Sequence, residues 1–266
     1  MVSSVDAAGE EIPSPADGDI RRLTIGALPA WGAEYAQDLL GTLVAPADPF
    51  PCTFAVSAAK RNTLRFGFID GLDDEAAWKQ LPGILSAYLD QYKEISRDTS
   101  LVVFFRDEAP ARGLTAYNER FWSILQYLHD EDEKPWPEGL PTDPEHHMWE
   151  FSFDGTEIFV VCNTPSHAER RSRHSPVFVI TFQPRWVFEG LEPDSARGSA
   201  ARRVIRTRLR RFDNVDPAPE LGSYGDPENR EWRQYFLPDN NDKPLTGCPF
   251  RGRRPERADD GRQPGH

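Results

Sequence analysis

Three cysteines in 266 residues, at positions 52, 162 and 248, are too few and too scattered to staple a fold. Their odd number and the lack of any CxxC pair argue against a disulfide framework and a structural zinc site, so a reducing cytoplasm is the expected setting. No run of eighteen apolar residues occurs, and no membrane span is expected. The opening MVSSVDAAGEEIPSPADGDI has neither the basic start nor the apolar stretch of a secretory signal. Positive charge is in deficit: the formal net charge is −12, which leaves little long-range attraction to nucleic acid or anionic membrane. GxGxxG, Walker, HExxH, GxSxG and EF-hand patterns are all missing. Dinucleotide, nucleotide, zinc-protease and serine-hydrolase readings therefore lose their support.

Aromatic residues, by contrast, are plentiful, at 11% of the chain. They mark a substantial core and supply walls for a flat ligand. Residues 1–20 are polar and Pro-punctuated and read as a flexible arm, residues 251–266 as a flexible tail, and residues 21–250 as one domain. Helices are expected around Trp31–Leu40, over 74–92 (capped by Asp73 or Asp74), around Tyr117–His129 (capped by Thr115 or Asn118) and over the Arg-rich 200–212. Strands are expected at 52–56, 64–70, 101–105, 149–153, 157–162 and 176–182, with Asp154-Gly155 as a tight hairpin turn. Neighbouring hairpins in this mixed order point to an α+β fold: a mostly antiparallel sheet with flanking helices.

The chemistry concentrates in the third quarter. His167 follows Asn163-Thr164-Pro165-Ser166 at a strand-to-loop junction, where ligand or acid/base residues are often carried. Arg170, Arg171 and Arg173 come next, guanidinium forks suited to carboxylates or phosphates. Phe178 and Trp186, with Phe182 and Phe188, supply apolar walls. An iron porphyrin would use all three features, with His167 on the metal, the arginines near the propionates and the aromatics on the ring. Each also has a plain reading: a hydrogen-bonded surface histidine, a solvated patch, ordinary core. His129, on the last turn of its helix, is the competing ligand, and Cys162 at a strand end reads as buried filler.

An ordered series of motifs carries a resemblance. Pro49-Phe50-Pro51-Cys52, Phe121-Trp122, Leu128-His129, Pro135-Trp136-Pro137, Trp149-Glu150-Phe151, Cys162-Asn163-Thr164-Pro165-Ser166-His167, Arg170-Arg171-Ser172-Arg173, Thr181-Phe182-Gln183-Pro184-Arg185-Trp186, Trp232-Arg233-Gln234-Tyr235-Phe236 and Cys248-Pro249-Phe250 together resemble the YqcI/YcgG family. The resemblance implies a haem b monooxygenase that uses O2 and an external electron donor to N-hydroxylate a guanidino or amino group of arginine or a related amino acid. Glu150 and Glu119 are then candidates to hold a cationic substrate. The alternative from the same residues is a haem-binding or haem-sensing protein without turnover. A third is a metal-free protein whose arginines hold an anion.

Overall fold

The computed structural model describes residues 17–107, 112–192, 194–242 and 247–252. The arm over 1–16 and the tail over 253–266 lie outside the described residues. The five-stranded sheet has the order β1-β2-β5-β4-β3, where β1 is Leu64–Ile69, β2 Ser100–Phe105, β3 Phe151–Phe153, β4 Thr156–Asn163 and β5 Phe178–Pro184. Only β1 and β2 run parallel; the other three pairings are antiparallel. The fold is α+β, as the element order predicted. Asp154 and Gly155 turn the β3–β4 hairpin with φ of 53° and 70°, the paired positive values that a two-residue turn needs to match strand twist.

Strand alternation sorts the side chains to two faces. One face buries Leu101, Val103 and Phe105 of β2, Phe178, Ile180 and Phe182 of β5, and Ile158, Val160 and Cys162 of β4 in the larger core. The helices covering that core, in chain order after α1 (Asp17–Leu23), α2 (Gly32–Val44) and α3 (Thr53–Lys60), are α4 (Glu75–Trp78), α5 (Leu81–Leu89), α6 (Tyr92–Ile95) and α7 (Leu114–Glu131). The opposite face is divided. Its β1–β2 half packs Leu64, Phe66, Phe68, Val102 and Phe104 against α1, α2 and α3. Its β5–β4 half is left open beneath α8 (Ala196–Phe212), the Arg-rich helix, and α9 (Trp232–Tyr235) follows in the chain.

Several elements differ from the sequence expectation for physical reasons. The segment expected as a strand at 52–56 is the start of α3. Ala55, Ala58 and Ala59 lie at i, i+3 and i+4 on a run of good helix formers, and Pro51 stops the helix from extending backwards. The single helix expected over 74–92 is three short ones. Asp74 caps the first by accepting from the Ala76 amide, and Pro82 can only be housed in the first turn of a new helix. Helix α7 starts at Leu114 after Gly113, earlier than either expected cap. Residues 17–20, read as part of the arm, begin α1 and bury Ile20 completely. Among the described residues no helix is long and apolar enough to cross a membrane, and all three cysteines are free thiols.

Candidate functional site

The open half of the sheet encloses a cavity of about 660 Å3, within the range of small-molecule sites (~300–1,000 Å3). Its floor is a small grid of strand residues. Phe159, Gln183 and Ser100 form one row across β4, β5 and β2, with Val161, Thr181 and Val102 forming the next. Helix α8 forms the roof through Gly198, Ala201, Arg202, Ile205, Arg206 and Leu209, a stripe at three- and four-residue spacing. The helix can come down this closely because position 198 is glycine: a Cβ there would meet the Leu191 carbonyl oxygen at 2.5 Å. Phe50, from the turn before α3, packs edge-on against Phe212 at 5.4 Å and pins the end of the roof.

The cavity has two polar poles. At one, β4 ends in Asn163 and the chain makes a closed loop back to β5. The Thr164 amide donates to the Arg173 carbonyl (3.0 Å) and the Ser175 amide to the Thr164 carbonyl (3.2 Å). Asp239 holds this loop from outside by accepting from the Glu169 and Arg170 amides, while Asp213 accepts from the Ser172 amide and hydroxyl. Arg170 and Arg173 line the wall here. Both are buried, yet both reach only neutral acceptors: Arg170 the Pro238 carbonyl and the Asn241 side chain, Arg173 the carbonyls of Gln234 and Tyr235. Burial, with the Arg170 charge adding to it, pushes the Arg173 pKa down to about 10. Asp213 favours both charges from a distance without touching either guanidinium, so the cost of burying them is only partly offset.

The second pole lies about four residues away along β4, roughly 13 Å at the usual strand rise. Arg185 lines the cavity between two carboxylates, Glu150 and Glu231, with its guanidinium 3.7 Å from the centre of the Tyr224 ring. Complete burial raises the Glu150 carboxyl to about 8 against the pull of Arg185. Burial works against the Arg185 charge as well, but the two carboxylates together outweigh it and raise its pKa. Two acids around one guanidinium leave an excess negative charge when all are ionised, and Arg185 offsets the burial of Glu150 by donating to both of its oxygens.

Of the residues singled out in the sequence, the structure brings Arg170, Arg173 and Phe188 to the cavity and places the others elsewhere. His167 is buried inside the loop beyond the first pole. Its Nε2 faces the Leu237 carbonyl at 2.9 Å and its Nδ1 faces the Thr164 hydroxyl at 2.9 Å. A carbonyl can only accept, so Nε2 carries the hydrogen and Nδ1 accepts from Thr164. As folded, neither nitrogen is open to a metal. Arg171 turns outward to Asp48 and stacks on Phe212. Phe178 belongs to the opposite core, stacked with Tyr117, and Trp186 packs on Tyr92 under Arg97. Glu119 is exposed on α7, and Glu150 is already held by Arg185 rather than free for a substrate. His129 is buried against Trp136 and Phe250 beside a pocket of only about 70 Å3. Cys162 faces the larger core.

Cys52, Tyr224 and Glu231 were missed as site residues, whereas Arg185 and the arginines over 202–211 stand in the sequence as the second choice for holding carboxylates. The signal for α8 was present, since its apolar and small positions recur at helical spacing among the arginines. The others come together only through the fold. Among the described residues no three His, Cys, Asp or Glu side chains converge as a metal cluster.

Comparison with known proteins now bears on this cavity. The YqcI/YcgG family pattern matches residues 40–251, which include both poles and the whole roof helix. The chain belongs to the YqcI/YcgG family. Within it, the chain is 44% identical over 230 residues to the uncharacterized protein YcgG of Bacillus subtilis (strain 168), covering 84% of this chain and 89% of that one. Protein YqcI of the same organism is 36% identical over 228 residues, with the same coverage. A Streptomyces lavendulae protein named "Putative N(omega)-hydroxy-L-arginine synthase DcsA" is 33% identical over 233 residues, 84% of this chain and 85% of that one. No solved structure matches the chain.

Proposed function

We propose that this YqcI/YcgG-family chain is a haem-dependent N-oxygenase that binds haem b beneath α8 and hydroxylates a guanidino or amino nitrogen of arginine or a related amino acid. The observation that carries the reading is the cavity itself: large, chiefly apolar, and bordered by buried arginines whose hydrogen bonds all go to neutral acceptors. The similarity to a protein named as a hydroxyarginine synthase supports the choice of reaction.

The residues present fit the cofactor. Phe159, Val161, Val102 and Leu209 offer apolar surface to a flat ring, while Arg170 and Arg206 in the same lining carry charge that its two carboxylates would meet. Bound haem, supplied with O2 and two electrons from an external donor, would place one oxygen atom on the substrate nitrogen and release the other as water. The chain's own part is to bind, orient and keep water out. The roof helix and the strand floor cover the cavity on two sides. The Arg185 guanidinium, fixed by Glu150 and Glu231 and stacked on Tyr224, gives this end of the cavity a positioned cation suited to an amino-acid carboxylate. Glu150 is a positioning residue in this scheme, holding Arg185 from behind.

The test is turnover. Haem-loaded protein, incubated with arginine, O2 and a chemical or flavin-based reductant, should form an arginine product one oxygen atom heavier. A haem protein that consumes no arginine and none of its close amino-acid relatives is a carrier or sensor, and the enzyme reading fails.

A further inference from the structure

Cys52 is the residue immediately before α3 and lines the cavity between Pro51 and Phe54. Among the cavity's lining residues are no histidines and two sulfur donors, Cys52 and Met148. Met148 sits at the rim beside Tyr224 and Gly225, at the Arg185 pole, and its neutral thioether cannot balance charge. Cys52 differs on both counts. The first-turn amides of Phe54 and Ala55 act on its thiol without closing a capping bond, and the Arg173 guanidinium also favours its thiolate, although burial outweighs all three and holds the thiol neutral. A helix start alone would say little. The independent observation is Arg173, more than nine-tenths buried in the same wall and ion-paired with no carboxylate among the described residues. Its hydrogen bonds go only to carbonyls and Asp213 favours its charge only from a distance, so a thiolate in the same wall would add the close anion it does not have.

We infer that Cys52 is the axial ligand of the haem iron, as a thiolate, and that Arg173 and the first turn of α3 are its electrostatic partners. Ligation exchanges the S–H bond for an S–Fe bond and releases one proton to solvent. It would add a close anion to the Arg173 pole, where Asp213 acts only from a distance, and Cys52 has no side-chain capping bond to give up. His167 could reach iron only by giving up its bond to Leu237 or to Thr164. A thiolate ligand pushes electron density onto iron and favours O–O cleavage, the property a monooxygenase needs. The inference rests on the proposed haem cavity.

The experiment is absorption spectroscopy of the haem-loaded full chain, reduced and exposed to carbon monoxide, for the parent, Cys52→Ser, Cys52→His and His167→Gln. Serine is a good residue before a helix start, so Cys52→Ser should fold. The parent and His167→Gln should show the strongly red-shifted Soret band of a thiolate-ligated ferrous–CO haem, Cys52→Ser should lose it, and Cys52→His should move to the histidine-type position. A parent that binds haem with a histidine-type spectrum, or a thiolate signature that survives in Cys52→Ser, overturns the inference and leaves the haem-enzyme reading standing. A parent that takes up no haem overturns the proposed function and the inference with it.

Discussion

Acid should loosen this protein through His167. The imidazole is about 1% exposed, and both nitrogens are committed, Nε2 donating to Leu237 and Nδ1 accepting from Thr164. Burial is the main force against its protonation. Arg173 and Arg170 add to it, and only the Leu237 carbonyl and the more distant Asp239 oppose it. The folded pKa is therefore lowered from 6.5 to about 4. The sign follows directly. Above pH 6.5 the imidazole is neutral in both folded and unfolded chains and stability does not change with this group. As pH falls from 6.5 towards 4, the unfolded chain takes up the proton and the folded one resists it, so stability is lost. At ~1.4 kcal/mol per unit, the loss by pH 4 is on the order of 3 kcal/mol. Urea denaturation of the cofactor-free parent and of His167→Gln, across pH 7 to 4, isolates the effect, because the variant lacks the titrating group. The stability difference between the two should shift against the parent by that amount. A difference that stays constant over this range would mean that the folded imidazole titrates normally and has a nitrogen free, which refutes the closed hydrogen-bond arrangement.

Arg185→Met should cost about 3–5 kcal/mol in urea denaturation, because it leaves the completely buried Glu150 carboxyl without its partner. Adding Glu150→Gln to that variant should recover part of the loss, and strict additivity would argue against direct coupling. Gly198→Ala should destabilise the chain although alanine is the better helix former, since the new methyl meets the Leu191 carbonyl; a gain in melting temperature would show that the roof helix is not seated as closely as described.

The strands β1, β2, β4 and β5, the Asp154-Gly155 turn and the Arg-rich helix were all legible, because each is a local pattern that tertiary packing reinforces. Where local signals competed, the reading failed. Cys-Thr-Phe-Ala-Val has strand-like residues, but the alanines beyond Val56 carry the segment into a helix. Pro82, unnoticed inside an otherwise convincing amphipathic stretch, breaks it. The candidate site was legible only in part for a related reason. Spacing drew attention to the arginines at 170, 171 and 173, but it could not tell which of them turn toward the cavity, and Arg171 and Arg173 point to opposite sides of a single short turn. His167 attracts attention as a histidine after a strand, yet its position is set by Leu237, seventy residues later. Cys52, more than a hundred residues before the arginines in sequence, joins them only once the β5–β4 half of the sheet is left open.

The central claim is that haem occupies the cavity under α8. The direct test is a haem titration of the purified chain followed by its Soret band, in parallel with Val161→Trp, which places an indole on the cavity floor while leaving the larger core on the opposite face untouched. The parent should bind one haem per chain and Val161→Trp should bind none or bind far more weakly while keeping the parent's secondary structure. A parent that remains colourless, or a Val161→Trp variant that binds haem as the parent does, would contradict the account.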